Sequence, residues 1–193
     1  RVYAIGDQYD ESGPWIRNNH PDLFYITSYR AMRGMYRGGD LSLTSPEWLK
    51  THICCEHGPL GEAYPIYDGG DIFSRRLGKV RGVKEGDTPS FLYLIPNGLS
   101  DPMKPTWGCW GGRFTGSGTR FFDAMDTYEG KTNELATVYR WRAAYQADFQ
   151  GRMDWCVKDF KDANHAPVAR LEHSSNFTVA PGDLVELSAV DSY

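Results

Sequence analysis

Five places in the 193-residue chain carry side chains able to do chemistry. Asp7 and Asp10 follow the apolar run Val2-Tyr3-Ala4-Ile5. Two carboxylates after a strand offer hard oxygen ligands to a divalent cation, and they equally well make a hydrogen-bonded turn. Asn97 sits between Pro96 and Gly98 at the end of a second apolar run, with Asp101 nearby. Its amide can line a ligand site or can serve turn geometry alone. Trp110-Gly111-Gly112-Arg113 pairs two glycines, which let backbone approach a ligand closely or simply close a tight turn. Asp148 lies between Tyr145 and Phe149 and is flanked by Gln146 and Gln150. A carboxylate beside a buried stripe has to be paired, bound or neutralised. Arg142 and Arg152 stand at helical spacing from it, so an ion pair is the first reading and a polyol ligand the alternative. His165, before Ala166-Pro167, can act as a general acid or base or can be structural. The sequence has no G-x-S-x-G elbow, P-loop, H-E-x-x-H or G-x-G-x-x-G, so it gives no support to nucleophilic catalysis.

The elements that must position these groups follow from periodicity. Val2 to Gly6 reads as a strand, and Pro14 suits the first turn of a short helix that closes before Pro21. Leu23-Phe24-Tyr25-Ile26 is continuous apolar, as expected of a strand covered on both faces. Arg30 to Thr44 reads as a loop. Ser45-Pro46-Glu47 opens a helix with a hydroxyl cap, a proline in the first turn and an acid beside it; it should run through Ile53 and stop before His57. Gly58 to Thr88 reads as a long irregular stretch, and loops of that length in a compact domain are usually functional. Phe91 to Ile95 reads as the clearest core strand, and Trp107 to Trp110 as a short one. A long helix is expected from Glu134 to Phe160, capped by Thr132 or Asn133, with a break at Gly151. Phe177 to Ser188 reads as strand, turn and strand about Ala180-Pro181-Gly182-Asp183. Strands alternating with helices predict an α/β domain with a largely parallel sheet, whose ligands sit at the carboxyl ends of strands.

Composition narrows the classes of function. Hydrophobic residues make up 40% of the chain and aromatic ones 14%, which excludes disorder and fibrous folds. No 18-residue apolar run is present, so no spanning helix is expected. A net charge of -4, scattered along the chain, argues against nucleic acid as a partner. Six Trp and 12 Tyr fit either a carbohydrate ligand or an aromatic core. Cys54, Cys55, Cys109 and Cys156 lack metal spacing; they permit two disulfides in an oxidising compartment, or four buried thiols. Asn176-Phe177-Thr178 matches a glycosylation acceptor. Because the chain opens inside a strand and closes among unpaired ones, a preceding segment that completes the fold and a following domain are expected.

Read in order, several segments resemble one family. They are Asp7-Gln8-Tyr9-Asp10, Gly13-Pro14-Trp15-Ile16-Arg17, Pro21-Asp22-Leu23-Phe24-Tyr25-Ile26 and His57-Gly58-Pro59-Leu60-Gly61. Glu85-Gly86-Asp87-Thr88-Pro89-Ser90, Asn97-Gly98-Leu99, Trp110-Gly111-Gly112-Arg113-Phe114, Arg152-Met153-Asp154-Trp155 and Asn164-His165-Ala166-Pro167-Val168 follow. Together they resemble the nucleoside hydrolase-like domain of secreted cellulose-binding proteins, a branch of the nucleoside hydrolase superfamily. The resemblance implies a Rossmann-like α/β fold over residues 1–170 and, over 171–193, a linker and the first strands of a β-sandwich domain. It implies hydrolysis of an N-glycosidic bond and calcium held by an N-terminal aspartate cluster, which is expected to lie before the start of this chain; Asp7 and Asp10 stay metal candidates on their own position after a strand. Asn97 would stand where the superfamily offers a backbone carbonyl to calcium, and Trp110 to Phe114 where it has a Met-Gly-Gly turn. Ala147-Asp148-Phe149-Gln150 resembles its Ala-Glu-Phe-Asn sugar-binding run, with each functional group moved by one methylene. The site predicted on this footing comprises Asp148, Gln150, Asn97, Trp110, Gly112 and Arg113, with His165 as a candidate acid or base.

Three functions follow from these readings. The first is calcium-assisted hydrolysis of a nucleoside-like or other glycoside. The second is carbohydrate (cellulose) binding without catalysis, with Trp107, Trp110 and Trp141 as stacking platforms. The third is a structural role with an inert site. The expected partner is a sugar, a nucleoside-like small molecule or a polysaccharide outside the cell, with neither membrane nor nucleic acid.

Overall fold

The computed structural model describes residues 2–5, 11–69, 80–98, 100–172 and 178–192. Strand β1 (Val2–Ile5), helix α1 (Ser12–Asn19) and strand β2 (Tyr25–Ser28) form a parallel β-α-β unit, with Val2 opposite Tyr25 and Ile5 opposite Ser28. Strands β3 (Phe114–Ser117) and β4 (Arg120–Asp123) form a hairpin whose second strand pairs parallel with β2. The sheet therefore runs β1-β2-β4-β3, parallel except at the β3 edge. Gly118, with φ of +60°, opens the two-residue β3–β4 turn, a backbone state that hairpin turns demand and glycine adopts without strain. A second hairpin, β5 (Asp126–Tyr128) with β6 (Lys131–Asn133), follows. The β3 to β6 strands escape sequence reading because they are only three or four residues long, too short to show a period.

The helical half is built from short pieces. Two 3₁₀ turns, Ala31–Met35 and Leu41–Thr44, occupy the segment expected to be loop. Helix α2 (Pro46–Leu49) begins as expected, Ser45 accepting from the Trp48 amide, and continues through the π turn Lys50–Cys54. Helix α3 (Gly58–Ala63) lies in the segment expected to be irregular. Helix α4 (Thr88–Leu92) replaces the core strand expected at Phe91 to Ile95. Pro89 in its first turn starts the helix, and Phe91 and Leu94 face solvent while Leu92 and Ile95 are buried, which strand alternation would not allow. Trp107 to Trp110 is not a strand; Cys109 and Gly112 only bridge each other across a tight turn.

The expected long helix is two, α5 (Ala136–Tyr139) and α6 (Arg142–Asp154). Asn133 does cap the first, its side chain accepting from the Ala136 amide at 2.9 Å. The break falls at Trp141 (φ -98°, ψ 3°) and not at Gly151. Breaking there turns Arg142 inward. It is 1% exposed, and its guanidinium donates to the carbonyls of Gly34, Gly38 and Asp40 at 2.5–2.9 Å and to that of Arg37 at 3.3 Å. Gly34 is pressed so closely on α5 that an added Cβ would lie 2.4 Å from the Leu135 carbonyl oxygen.

Two apolar clusters result. Ile26, Tyr93, Cys109, Phe114 and Phe121 pack on the sheet; Met35, Leu49, Ile53, Leu92, Val138 and Tyr145 fill the helical half. All four cysteines are free thiols. Past the helices, the described residues 178–192 form no strand, although the turn expected at Ala180–Asp183 is present, with the Asp183 amide donating to Ala180. No described helix is long and apolar enough to cross a membrane.

The end of α6 is tied down electrostatically. Asp154 meets His57 Nε2 at 3.2 Å and Lys158 Nζ at 2.8 Å. The Lys158 hydrogen bond, aided by that of His57, holds the Asp154 carboxyl below its ordinary value of 3.8. A depressed carboxyl stabilises the fold above its unfolded value and stops doing so as pH falls through the folded one. Asp154→Asn should therefore flatten the acid limb of the stability curve below about pH 4, measured by urea denaturation at stepped pH. Arg142→Met strands several buried carbonyls at roughly 1–3 kcal/mol apiece and should lower stability by at least about 3 kcal/mol. Arg142→Lys should recover little, because one ammonium lacks the guanidinium's planar fork of donors.

Candidate functional site

Four of the sequence-predicted residues meet on one cleft of about 700 Å³: Asn97, Trp110, Asp148 and His165. They come from four separate stretches of chain. Asn97 stands just after α4, where Ile95 is anchored in the core and Asn97 N–H donates back to the Ile95 carbonyl at 2.9 Å. Trp110 is held by the turn that follows. Gly111 packs against α4 so tightly that an added Cβ would lie 2.3 Å from the Pro89 carbonyl oxygen and 2.5 Å from the Tyr93 nitrogen, so only glycine fits. Tyr3 of β1 donates from its hydroxyl to the Gly111 carbonyl at 3.0 Å, tying the turn to the sheet. Burial of that phenol raises its pKa well above the ordinary tyrosine value, so it stays a donor.

Helix α6 supplies the opposite wall. Ala144, Asp148, Gly151 and Trp155 recur at intervals of four, three and four residues, which places them on one helical face. Small residues one turn either side of Asp148 leave the space that makes the cleft. Asp148 accepts from Arg152 Nε at 2.6 Å, the i,i+4 ion pair expected, while Arg142 is committed to the carbonyls described above. Trp155 donates from Nε1 to the Asn164 carbonyl at 2.6 Å and its ring stacks on His165, with centroids 6.2 Å apart and planes 25° from parallel. His165 Nε2 lies 2.6 Å from the Phe160 carbonyl, so in the neutral ring Nε2 carries the proton and Nδ1 is the free acceptor. Trp110 Nε1 is buried without an acceptor among the described residues.

The remaining predicted residues lie elsewhere. Gln150 is on α6 but does not line the cleft. Gly112, with φ of +115°, closes the Cys109 turn, and its missing Cβ leaves room for Phe114 and Thr137. Arg113 braces the β5 hairpin, its Nε donating to Asp126 at 2.7 Å and its guanidinium to the Met125 carbonyl. Both serve the fold rather than the cleft. Trp107 is exposed under Lys104, and Trp141 packs against the helical core. Asp7 and Asp10 lie outside the described residues. Sequence reading missed Arg152, Trp155 and Asn164 as cleft residues, although Trp155 is two helical turns from Asp148 and that spacing was there to be followed.

Calcium can be tested against this donor set. Among the described residues no three His, Cys, Asp or Glu side chains gather as a metal group. The cleft's carboxylate is already paired with a cation, and its other groups are amides and an imidazole. These residues do not suit a hard cation, which prefers six or more oxygen ligands.

A mostly parallel four-stranded sheet joined to a helical half is the mixed α/β architecture of a nucleoside hydrolase-like domain. The family model for the nucleoside hydrolase-like domain of cellulose-binding Sde182 matches residues 1–114, and the chain belongs to that family. Asn97 and Trp110 fall inside the matched residues; Asp148 and His165 follow them. A solved structure of a nucleoside hydrolase-related hypothetical protein from Saccharophagus degradans, associated with carbohydrate metabolism, is similar at 31% identity and a TM-score of 0.64. The match covers 100% of this chain and 45% of that one, so this chain spans less than half of that protein's length. Comparison with curated proteins gives no match.

The arrangement makes Gly151 the position from which the cleft can be closed. An added Cβ there meets only Asn164, at 3.7 Å or beyond, so Gly151→Ala should be tolerated. Gly151→Leu should fill the cleft while the far-UV circular dichroism spectrum stays unchanged.

Proposed function

We propose that the cleft binds a carbohydrate, and that this domain recognises sugar without itself cleaving it. The observation that supports this is the convergence of Asn97, Trp110, Asp148 and His165 on one cleft. Sugars present rings with apolar faces and hydroxyl edges. Trp110 and Trp155 offer the rings. Asp148 accepts from hydroxyls, while Arg152 and the Asn164 amide donate to them. Arg152 orients Asp148, so the carboxylate is positioned before ligand arrives. The family's association with cellulose agrees with a polysaccharide or oligosaccharide ligand, and an extracellular location goes with it.

Calcium-assisted hydrolysis of a glycosidic bond is the second reading. It is favoured by Asn97 and Asp148 facing the same cleft, since the resemblance assigns one to the metal side and the other to the sugar side. Calcium would have to be held by Asp7 and Asp10, and His165 would be the acid or base. The Rossmann-like label, and a β-sandwich beginning in residues 171–193, belong to the same proposal.

Calorimetry with cellobiose, cellotetraose and ribose tests the binding. Asp148→Ala should weaken the best of these by tenfold or more, the ordinary worth of hydrogen bonds to a charged group. An affinity unchanged by that substitution would remove Asp148 from the site. Incubation with inosine or uridine and calcium should release no free base; release would shift the reading to the hydrolase.

A further inference from the structure

Where the chain leaves α6 it builds a row of three rings that begins in the cleft and ends outside it. Trp155 and His165 both line the cleft. The His165 ring then lies on Phe160, with centroids 4.1 Å apart and planes 36° from parallel. Phe160 stands beyond the cleft lining and is 84% exposed. At that centroid distance the imidazole covers one face of the phenyl ring, so its exposure belongs to the other face.

A tight turn holds the ring out. The amides of Asp162 and Ala163 both donate to the Asp159 carbonyl at 3.0 Å, and His165 Nε2 donates to the carbonyl of Phe160 itself at 2.6 Å. With the backbone fastened on both sides, little freedom is left to lose when a ligand covers the ring. A lone exposed phenylalanine would need no explanation. This one continues an aromatic row out of a cleft.

The surroundings of Phe160 select its occupant. Asp159, Lys161 and Asp162 are exposed beside it in the same turn, so the apolar face is one ring wide with charged groups around it. Apolar patches that dock proteins or membranes run to roughly several hundred Å², more than one phenyl face supplies. A single flat face beside hydrogen-bonding groups matches a sugar ring, apolar on its faces and hydroxylated at its edge. The neighbouring charges are of both signs, which favours a neutral ligand over an anion or a cation. The cleft, at about 700 Å³, is of the size that takes one small molecule. A longer chain has to leave it, and the way over His165 leads to Phe160.

We propose that Phe160 is an outer subsite of the cleft, stacking on a further ring of a neutral oligosaccharide whose first units occupy the cleft, so that the domain prefers chains longer than a disaccharide. This rests on the carbohydrate reading of the cleft and adds to it a dependence on chain length.

Calorimetry on the full chain with cellobiose and cellotetraose tests it. Cellotetraose should bind about fivefold more tightly than cellobiose, the worth of covering one face of a phenyl ring. Phe160→Ala should bring the two affinities together by weakening cellotetraose, whereas Phe160→Trp, which keeps a flat ring, should retain the preference. The circular dichroism spectrum should not change in either variant, because the side chain is exposed. Equal affinity for the two ligands in the unsubstituted protein, or a preference that survives Phe160→Ala, would overturn the proposal. Equal weakening of both ligands by Phe160→Ala would also overturn it, since the ring would then act only by positioning His165. Asp148→Ala separates this from the reading of the cleft. If it weakens both oligosaccharides while Phe160→Ala alters neither, the cleft binds sugar and the outer subsite is wrong. If neither oligosaccharide binds the unsubstituted protein, both fall.

Discussion

The structure depends on one buried cation held by carbonyl oxygens. Arg142 brings its charge into the interior, where an isolated charge is expensive. Its partners are four carbonyls of the segment Gly34–Asp40, with Tyr145 Oη accepting from Nε at 3.3 Å. Each carbonyl is a dipole needing a donor, and the segment is too irregular to satisfy them within itself. The guanidinium supplies the donors in one planar group, which no other side chain can do. The cost of burying the charge and the cost of leaving these carbonyls bare offset each other. That compensation fixes α6 against the segment from Gly34 to Asp40.

With α6 placed, its two faces acquire separate uses. One face is cut back by Ala144, Ala147 and Gly151, so that Asp148 looks into a cleft. The other carries Tyr145, Phe149 and Met153 into the helical core or onto an apolar cavity. Asp148 and Arg152 sit on the ridge between them. The ion pair is half-exposed and contributes little to stability by itself. Its worth is positional: it stops either side chain from collapsing into a neighbouring space.

How much of this was legible in the sequence varies with the kind of signal. The Ser45-Pro46-Glu47 helix start, the Asn133 cap and the Asp148–Arg152 pair are local effects, and local effects can be read from spacing. The parallel β1-α1-β2 unit was legible for the same reason. Phe91 to Ile95 was misread because a five-residue apolar run has no period that separates helix from strand. Pro89 and the packing of Gly111 on α4 decide the matter, and Gly111 lies 23 residues from the start of the helix at Thr88. The break at Trp141 was misplaced because Gly is a weak helix former whereas the actual cause is the distant demand of carbonyls at Gly34 to Asp40. Among the predicted site residues, Asn97, Trp110, Asp148 and His165 come together on one cleft. Gly112 and Arg113 were assigned to the ligand when their chemistry is spent on the fold: a turn needing positive φ, and a brace to Asp126.

Asp123 adds a last connection. At the end of β4, its Oδ2 accepts the amides of Tyr29, Arg30 and Ala31 at 2.6–3.2 Å, at the point where β2 gives way to the first 3₁₀ turn. That turn carries Gly34, whose carbonyl receives Arg142. Sheet, turn and helix are thus joined in series by hydrogen bonds, in parallel with the apolar packing of Ala31 and Met35 on Val138 and Tyr145. The connection ties the sheet to the helix that walls the cleft, so the two are expected to melt as a single cooperative unit rather than as independent halves.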